Sequence, residues 1–134
     1  MAWLREVSKS STTERMYIRR INAINMPVTF QTAHAMADEE VLLDSGATEN
    51  FMDEETWKRL GVRRRTLPQK IKVFNVDGTE NKKGEMTHYC QLRVVYNGEE
   101  DLQDFYITSL GKDRLILGYP FLKKFNPQID WKLG

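Results

Sequence analysis

The residues of this chain best suited to chemistry are Asp44, Ser45 and Gly46, which follow an apolar run at positions 41–43. A continuous apolar run of this kind is typical of a buried strand. A carboxylate at the end of such a strand is costly to bury unless it is paired or hydrogen-bonded. Ser45 supplies a hydroxyl, and Gly46 allows a tight turn and a close approach of another backbone. These residues predict a carboxylate held at a sheet end, inside a cleft or interface, although Asp-Ser-Gly is also an ordinary turn sequence.

Composition limits the classes of protein to which the chain can belong. Its 134 residues are 40% hydrophobic and 29% charged, which suits one domain with a modest core. The net charge of +1 argues against a broad nucleic-acid-binding surface. With Cys90 as the single cysteine and His34 and His88 as the only histidines, we expect no intramolecular disulfide, no metal and no cofactor. No apolar run approaches the roughly 20 residues of a membrane span, and we expect no signal peptide and a reducing, cytoplasmic setting.

Periodicity and turn residues predict a mainly β chain with one or two short helices. Strands are predicted at 28–32, before Asp44, and at 71–76, 86–96, 103–107, 115–117 and 129–133. Helices are predicted from Asp53 to Leu60, ended by Gly61, and from Pro120 to Phe125, ended by Asn126-Pro127. Polar turns or loops are predicted at 35–40, 63–65, 77–81 and 97–98.

Several polar segments and residues allow more than one interpretation. Residues 1–24 are predicted to form a flexible lead-in, from upstream polyprotein, that becomes a short helix or strand, so that the domain spans 25–134. Arginines there and at 63–65 could contact RNA or substrate, but charge runs are more often solvated. His88 and Cys90 share the period-two face of their predicted strand, which favours core residues over a catalyst or a nucleophile.

The chain also repeats one arrangement, a strand followed by a glycine and a short helix. Residues 42–46 with the helix that begins after Asp53 form the first copy, and residues 115–118 with the helix that begins at Pro120 form the second. Only the first copy carries the aspartate at the strand end, so the two copies are not chemically equivalent.

These motifs resemble the retropepsins, the aspartic proteases of retroviruses and retroelements. The chain is most similar to the protease segment of gypsy-class LTR retrotransposon polyproteins. The resemblance rests on four stretches that follow each other in the family's order: 42–51, 74–79, 116–122 and 126–131. Four motifs in order, with a hairpin between them, are far more specific than Asp-Ser-Gly alone. Phe121 stands where related elements often have tryptophan, and the lead-in matches no part of the family.

The resemblance implies a retropepsin-like closed β-barrel, the acid protease fold, that acts as a homodimer. Asp44 would be the catalytic aspartate, and the Ser45 hydroxyl would brace the two active-site loops across the dimer. The rest of the active-site loop would be formed by Gly46, Ala47 and Thr48.

Two further segments acquire roles through the same resemblance. Residues 71–90 would form a flap whose tip binds substrate through Val76, Asp77, Gly78 and Thr79. A second, non-catalytic loop would contain Ile116, Leu117 and Gly118.

The function expected from these residues is that of an aspartic endopeptidase. Hydrolysis by aspartates needs two carboxylates that share a proton, and one chain carries a single Asp-Ser-Gly, so a homodimer is expected. The substrate would be a retrotransposon polyprotein, cleaved in the cytoplasm or within virus-like particles. A catalytically silent retropepsin-like module for dimerisation or binding is the alternative. A nucleic-acid-binding segment is a third hypothesis, against which the near-neutral charge argues.

Overall fold

Strands form most of the chain, as its alternating apolar residues predict. The computed structural model describes residues 5–7, 14–17, 23–74, 80–110 and 114–129. The strands in these ranges are β1 (Arg5–Val7), β2 (Glu14–Tyr17), β3 (Ala23–Gln31), β4 (Met36–Asp44), β5 (Phe51–Asp53), β6 (Arg64–Phe74), β7 (Glu80–Tyr96), β8 (Glu99–Thr108) and β9 (Leu115–Leu117). The helices are α1 (Glu54–Leu60) and α2 (Tyr119–Phe125). The prediction of a mainly β fold with short helices is confirmed.

Six of the strands close into a barrel. Neighbouring strands follow the order β7, β3, β4, β9, β5 and β8, and β8 pairs again with β7. The pairs β4–β9 and β5–β8 are parallel, and the other pairs in the ring are antiparallel. The closed barrel implied by the resemblance is therefore present.

The remaining strands extend the sheet beyond the barrel. β6 pairs antiparallel with β7. On the other side of β6, β2 pairs with it in parallel, and β1 pairs antiparallel with β2. The predicted lead-in at 1–24 therefore contains two strands of the sheet, and β3 already begins at Ala23. The proposed domain boundary at residue 24 stays a prediction.

The apolar run before Asp44 is explained by burial on both faces of β4. Val41 and Leu43 belong to the main core cluster, which is centred on Phe30, Phe105 and the aromatic ring of Phe121. Leu42 points to a second cluster, whose buried members are Leu42, Ala47, Phe51, Ile71, Met86, Tyr106 and Ile116. A strand covered on both faces needs apolar residues at every position rather than at alternate ones.

α1 begins and ends where the sequence predicts, whereas α2 begins one residue earlier than predicted, at Tyr119, and ends as predicted. The Asp53 side chain caps α1 by accepting a hydrogen bond from the Glu55 amide at 3.1 Å, and Gly61 ends the helix with φ of 68°. α2 has Pro120 in its first turn and ends at Asn126 with φ of 44°. Its Phe121 and Phe125 rings lie 4.8 Å apart between centroids, as their spacing of four predicts.

The hairpin before Asp44 differs from its prediction in two places. The turn predicted at 35–40 is wrong, because β4 already begins at Met36. The chain turns earlier, where the Thr32 hydroxyl accepts hydrogen bonds from the amides of His34 and Ala35. Pro27 lies inside β3 rather than at its first position. It is tolerated there because β7 joins β3 only at residues 29–31, which leaves β3 with one neighbour at the proline.

The predicted loop at 63–65 is also wrong, because β6 begins at Arg64. Arg64 is opposite Cys90 in β7, and its guanidinium lies 4.8 Å from the centroid of the Trp57 ring. Backbone pairing and this cation–π contact explain why an arginine run here is extended. The predicted last strand at 129–133 falls mostly outside the described residues, which end at Ile129.

Candidate active site

Asp44 ends β4 and begins a tight turn. It lies opposite Ala23 of β3 and has no exposed surface in the single chain. Its Oδ1 accepts a hydrogen bond from the Gly46 amide at 2.9 Å, and its carbonyl oxygen accepts one from the Ala47 amide at 3.1 Å. The buried carboxylate is thus held by the backbone of its own loop, as its sequence setting predicts.

Ser45 is also fully buried. Within the described part of the chain, no group hydrogen-bonds to its Oγ. A buried hydroxyl without a partner costs about 1–3 kcal/mol. A group that could bond to this hydroxyl therefore gains binding energy at this point of the loop.

The second loop packs directly against the first. Parallel pairing places Leu42 opposite Ile116 and Leu43 opposite Leu117, so that Asp44 and Gly118 follow neighbouring strand ends. The Tyr119 amide donates to the Ala47 carbonyl at 3.1 Å. A Cβ atom at Gly118 would lie 2.4 Å from the Glu49 carbonyl oxygen and 2.7 Å from that of Ala47. Only glycine fits here, because the two loop backbones are in contact.

Asn50 joins the two loops, a role not predicted from the sequence. Its Oδ1 accepts a hydrogen bond from the Gly118 amide at 3.0 Å, and its Nδ2 donates to Oε1 of Gln103 at 2.8 Å. Its carbonyl oxygen accepts from the Tyr106 amide at 3.0 Å. The sequence contained one signal for this link, which is Gln103, because its side-chain amide lies among apolar residues on the inward face of β8. A buried amide needs a polar partner, and Asn50 is that partner.

The segment predicted to form a flap, residues 71–90, is only partly described. Val76, Asp77, Gly78 and Thr79 lie outside the described residues, so their assignment to the flap stays a prediction. The described parts of its two strands lie next to the Asp44 loop, because Ile71 of β6 and Met86 of β7 belong to the same buried cluster as Ala47 and Ile116.

Cys90 and His88 are separate from this loop pair. Burial, with a smaller contribution from Asp104, raises the pKa of the Cys90 thiol to about 12, so the thiol stays protonated at neutral pH. Cys90 is fully buried with its Sγ 3.9 Å from Sδ of Met52, which confirms the prediction of a core residue. His88 is half-buried, and its Nδ1 lies 2.8 Å from the Thr87 hydroxyl. It is therefore a partly buried residue with a hydrogen-bond partner.

The described ranges contain neither a metal-binding cluster nor a membrane-spanning helix. Those ranges hold no group of three or more His, Cys, Asp or Glu side chains able to bind a metal ion. Neither α1 nor α2 is long and apolar enough to cross a membrane.

The arginines at the start of β6 are exposed. Arg63 and Arg65 line an open groove of about 470 Å³ together with Arg93 of β7. Within the described ranges, none of the three forms an ion pair.

Comparison with known proteins agrees with this geometry. The family described as PEG10/RTL1 protease domain matches residues 40–134, which include both loops. The fold is similar to EIAV protease in complex with the inhibitor HBY-793, with a TM-score of 0.59 and 14% identity, over 82% of this chain and 94% of that chain. It is also similar to the retroviral protease-like domain of Ddi1 from Leishmania major, with a TM-score of 0.54 and 20% identity, over 84% of each chain.

The two structural matches establish the fold, and the family match covers more than half of the chain. The retropepsin-like barrel is the fold that this chain shares with both matches. The chain therefore belongs to the PEG10/RTL1 protease domain family.

Proposed function

We propose that this chain is an aspartic endopeptidase that acts as a homodimer on a polyprotein, with Asp44 as its catalytic aspartate. The observation that carries the proposal is the placement of Asp44 at the end of β4, fixed by the Gly46 amide and supported by the Gly118 loop. Gly46, Ala47 and Thr48 complete the active-site loop. Ile116 and Leu117 support it, because they pair with Leu42 and Leu43 of β4 directly before Asp44.

Dimerisation supplies the second carboxylate. Each chain carries one Asp-Ser-Gly motif, and a two-fold axis through the Asp44 loop would bring two copies of it together. The Ser45 Oγ, buried and without a partner among the described residues, supports this arrangement. In a dimer it would hydrogen-bond to the loop of the second chain and brace the two aspartates.

The chemistry follows from two carboxylates about 3 Å apart, which cannot both be ionised and therefore share one proton. The ionised aspartate removes a proton from water, which attacks the peptide carbonyl carbon. The protonated aspartate donates its proton to the carbonyl oxygen, which gives a tetrahedral diol. The aspartate that took the water proton then passes it to the amide nitrogen, the other aspartate takes a diol proton, and the C–N bond breaks to give an amine and a carboxylic acid. Activity should be highest at mildly acidic pH, where the pair holds one proton, and should fall as the second carboxylate ionises.

The described surface beside the loop suits a peptide side chain. A cavity of about 220 Å³ lies between β6 and β8, lined by Leu67, Ile71, Tyr89 and Tyr106. Ile71 and Tyr106 belong to the same cluster as Ala47 of the active-site loop. The cavity is lined mainly by apolar and aromatic side chains, with Gln69 and Asp104 among its polar lining residues. It therefore suits an apolar substrate residue. The predicted flap tip, Val76 to Thr79, would cover the substrate from the other side.

A catalytically silent module remains the alternative, and one observation favours it. Asp44 has no exposed surface in the single chain, so water and substrate reach it only after some part of the chain moves. A module that used this barrel for dimerisation alone would tolerate such burial.

The decisive experiment compares two carboxylates on the same strand. Wild type, Asp44→Asn and Asp38→Asn are incubated with a mixed peptide library at mildly acidic pH, and products are identified by mass spectrometry. Asp38 is the control because it is exposed on β4, away from the loop. Asp44→Asn should lower cleavage by at least about 10³-fold, since both acid and base catalysis are lost, while Asp38→Asn should cut like wild type.

Sedimentation of the same samples tests the dimer. The rate of wild-type cleavage should rise faster than linearly with protein concentration while the dimer is partly formed. If Asp44→Asn cleaves as fast as wild type, or if neither protein cleaves while both are dimers, the protease hypothesis is wrong and the catalytically silent module takes its place.

A further inference from the structure

The sheet edge nearest the active site is covered by the chain's own N-terminal segment. β7 pairs with one side of β6, and β2 pairs with the other side in parallel, from Glu14 opposite Ile71 to Tyr17 opposite Phe74. β1 then covers the far side of β2, with Arg5 opposite Met16. The backbone of the strand β6 is therefore paired on both sides along 71–74.

This part of β6 borders the Asp44 loop. The Ile71 side chain is buried in the cluster that contains Leu42, Ala47 and Ile116, three residues that flank the strand ends of the active site. Ile71 also lines the 220 Å³ cavity with Tyr106. An extended peptide that reaches the loop would run along this edge and pair with its backbone, since edge pairing is a general way to bind extended peptides.

The covering segment does not come from the protease family region. The family match begins at residue 40 and includes β6, whereas β1 and β2 precede it. The strand that pairs with β6 therefore lies outside the matched residues 40–134, and it is held at the position that an extended substrate needs.

We propose that the segment Glu14–Tyr17 is an intramolecular occupant of the substrate-binding edge of β6 and competes there with substrate peptides. This inference rests on the proposed function, because it assigns the edge of β6 to substrate. The occupant binds through its backbone, so the competing ligand is any extended peptide able to pair in parallel with residues 71–74. Substrate binds only in the fraction of molecules in which β2 has left the edge.

The first test weakens β2 without touching the barrel. Met16 is opposite Val73 of β6 and Arg5 of β1, so a proline there removes an amide from a strand paired on both sides. Met16→Val is the matched control, because valine keeps the amide and favours strands. If β2 occupies the edge nine-tenths of the time, Met16→Pro should raise kcat/KM for a reporter peptide about tenfold, and Met16→Val should leave it unchanged.

The second test does not depend on activity. Hydrogen–deuterium exchange in the full chain should show protected amides within 71–74. Met16→Pro should speed the exchange of those amides that point toward β2 about tenfold, while β8 and β9 stay protected. Retained protection of β8 and β9 shows that the variant is folded. A synthetic peptide of residues 10–22, added to Met16→Pro, should restore protection at 71–74 and slow reporter cleavage, while a scrambled peptide should do neither.

The outcomes separate this inference from the proposed function. If folded Met16→Pro shows unchanged exchange at 71–74, the proposal that Glu14–Tyr17 occupies this edge is wrong, whatever the activity. Faster exchange with unchanged kcat/KM also overturns it, because the edge is then not the substrate site. If wild type and every variant fail to cleave peptides, the proposed protease function is wrong instead. Should Met16→Pro fail to fold, competition by the 10–22 peptide with reporter cleavage by wild type decides the question, and no competition overturns the proposal.

Discussion

The two strand–loop–helix units of the barrel are built alike but are held by different forces. The first unit, from β4 to α1, is fixed by directional hydrogen bonds: Gly46 to Asp44, Glu55 to Asp53, and Arg59 to Glu39. The second unit, from β9 to α2, has no side-chain cap at its helix. It is fixed by aromatic packing, with the Phe121 ring 5.3 Å from Tyr96 and 4.8 Å from Phe125 between centroids.

This difference follows from what each unit carries. A buried carboxylate must be held by donors in defined directions, because an unsatisfied charge is costly. The supporting unit has no charge to satisfy, so apolar area is sufficient to hold it. The units meet at Gly118 and Asn50, where the polar network of the first reaches the backbone of the second.

The largest effect should come from breaking the apolar unit. Phe121 is fully buried, and Phe121→Ala should lower the free energy of unfolding by about 3–5 kcal/mol. Lys124→Ala, an exposed change on the same helix, should change it by less than about 0.5 kcal/mol. Urea unfolding measures both, and equal losses would show that α2 is not held by its aromatic face.

The contact between the units should be nearly as sensitive. Gly118→Val places a side chain against the Glu49 and Ala47 carbonyls and should cost about 3 kcal/mol. It should also lower peptide cleavage, because the Asp44 loop must shift. Gly61→Ala is the control: a Cβ atom added there would meet no other atom within 4 Å, but φ is 68°, so the change should cost about 1 kcal/mol and leave cleavage unchanged. Loss of cleavage in both variants would make stability, not loop position, the cause.

Asn50→Leu tests the polar link between the units. It leaves the buried Gly118 amide and the side-chain Oε1 of Gln103 without their partner. The free energy of unfolding should fall by about 2 kcal/mol. A double-mutant cycle with Gln103→Leu should give a coupling energy of at least about 0.5 kcal/mol, measured by urea unfolding. Strict additivity would mean that the two amides do not act as one network.

The smallest effect should come from the helix cap of the polar unit. Asp53 accepts hydrogen bonds from the Glu55 amide at 3.1 Å and the Leu110 amide at 2.9 Å. Asp53→Ala should therefore cost about 1–2 kcal/mol in thermal unfolding. Asp53→Asn keeps an acceptor and should cost about half as much. A loss in Asp53→Asn as large as that in Asp53→Ala would point to the charge rather than the hydrogen bonds.

Features set by neighbouring residues were predictable, and features set by distant partners were not. The cap at Asp53, the end at Gly61 and the hairpin at Asn97-Gly98, with φ of 49° and 77°, follow from local turn chemistry. Strands β4 and β9 end where predicted, at Asp44 and directly before Gly118, because an apolar run that ends in Asp or Gly is a local signal. The position of Pro27 inside β3, the link from Asn50 to Gln103 and the pairing of β2 with β6 depend on residues far away in sequence. Periodicity contains no information about which distant strand supplies the second neighbour.

The bond from the Gly118 amide to Asn50 has a consequence for the order of folding. It joins residues 68 positions apart, and β4 gains its parallel neighbour β9 over a similar span. Contacts of such sequence separation form late, because the intervening loop must first be ordered. During synthesis the Asp44 loop therefore lacks its supporting backbone until the ribosome has released nearly the whole barrel. Through that part of its synthesis the nascent chain carries Asp44 without the loop that supports it, a delay encoded in topology rather than in any inhibitor.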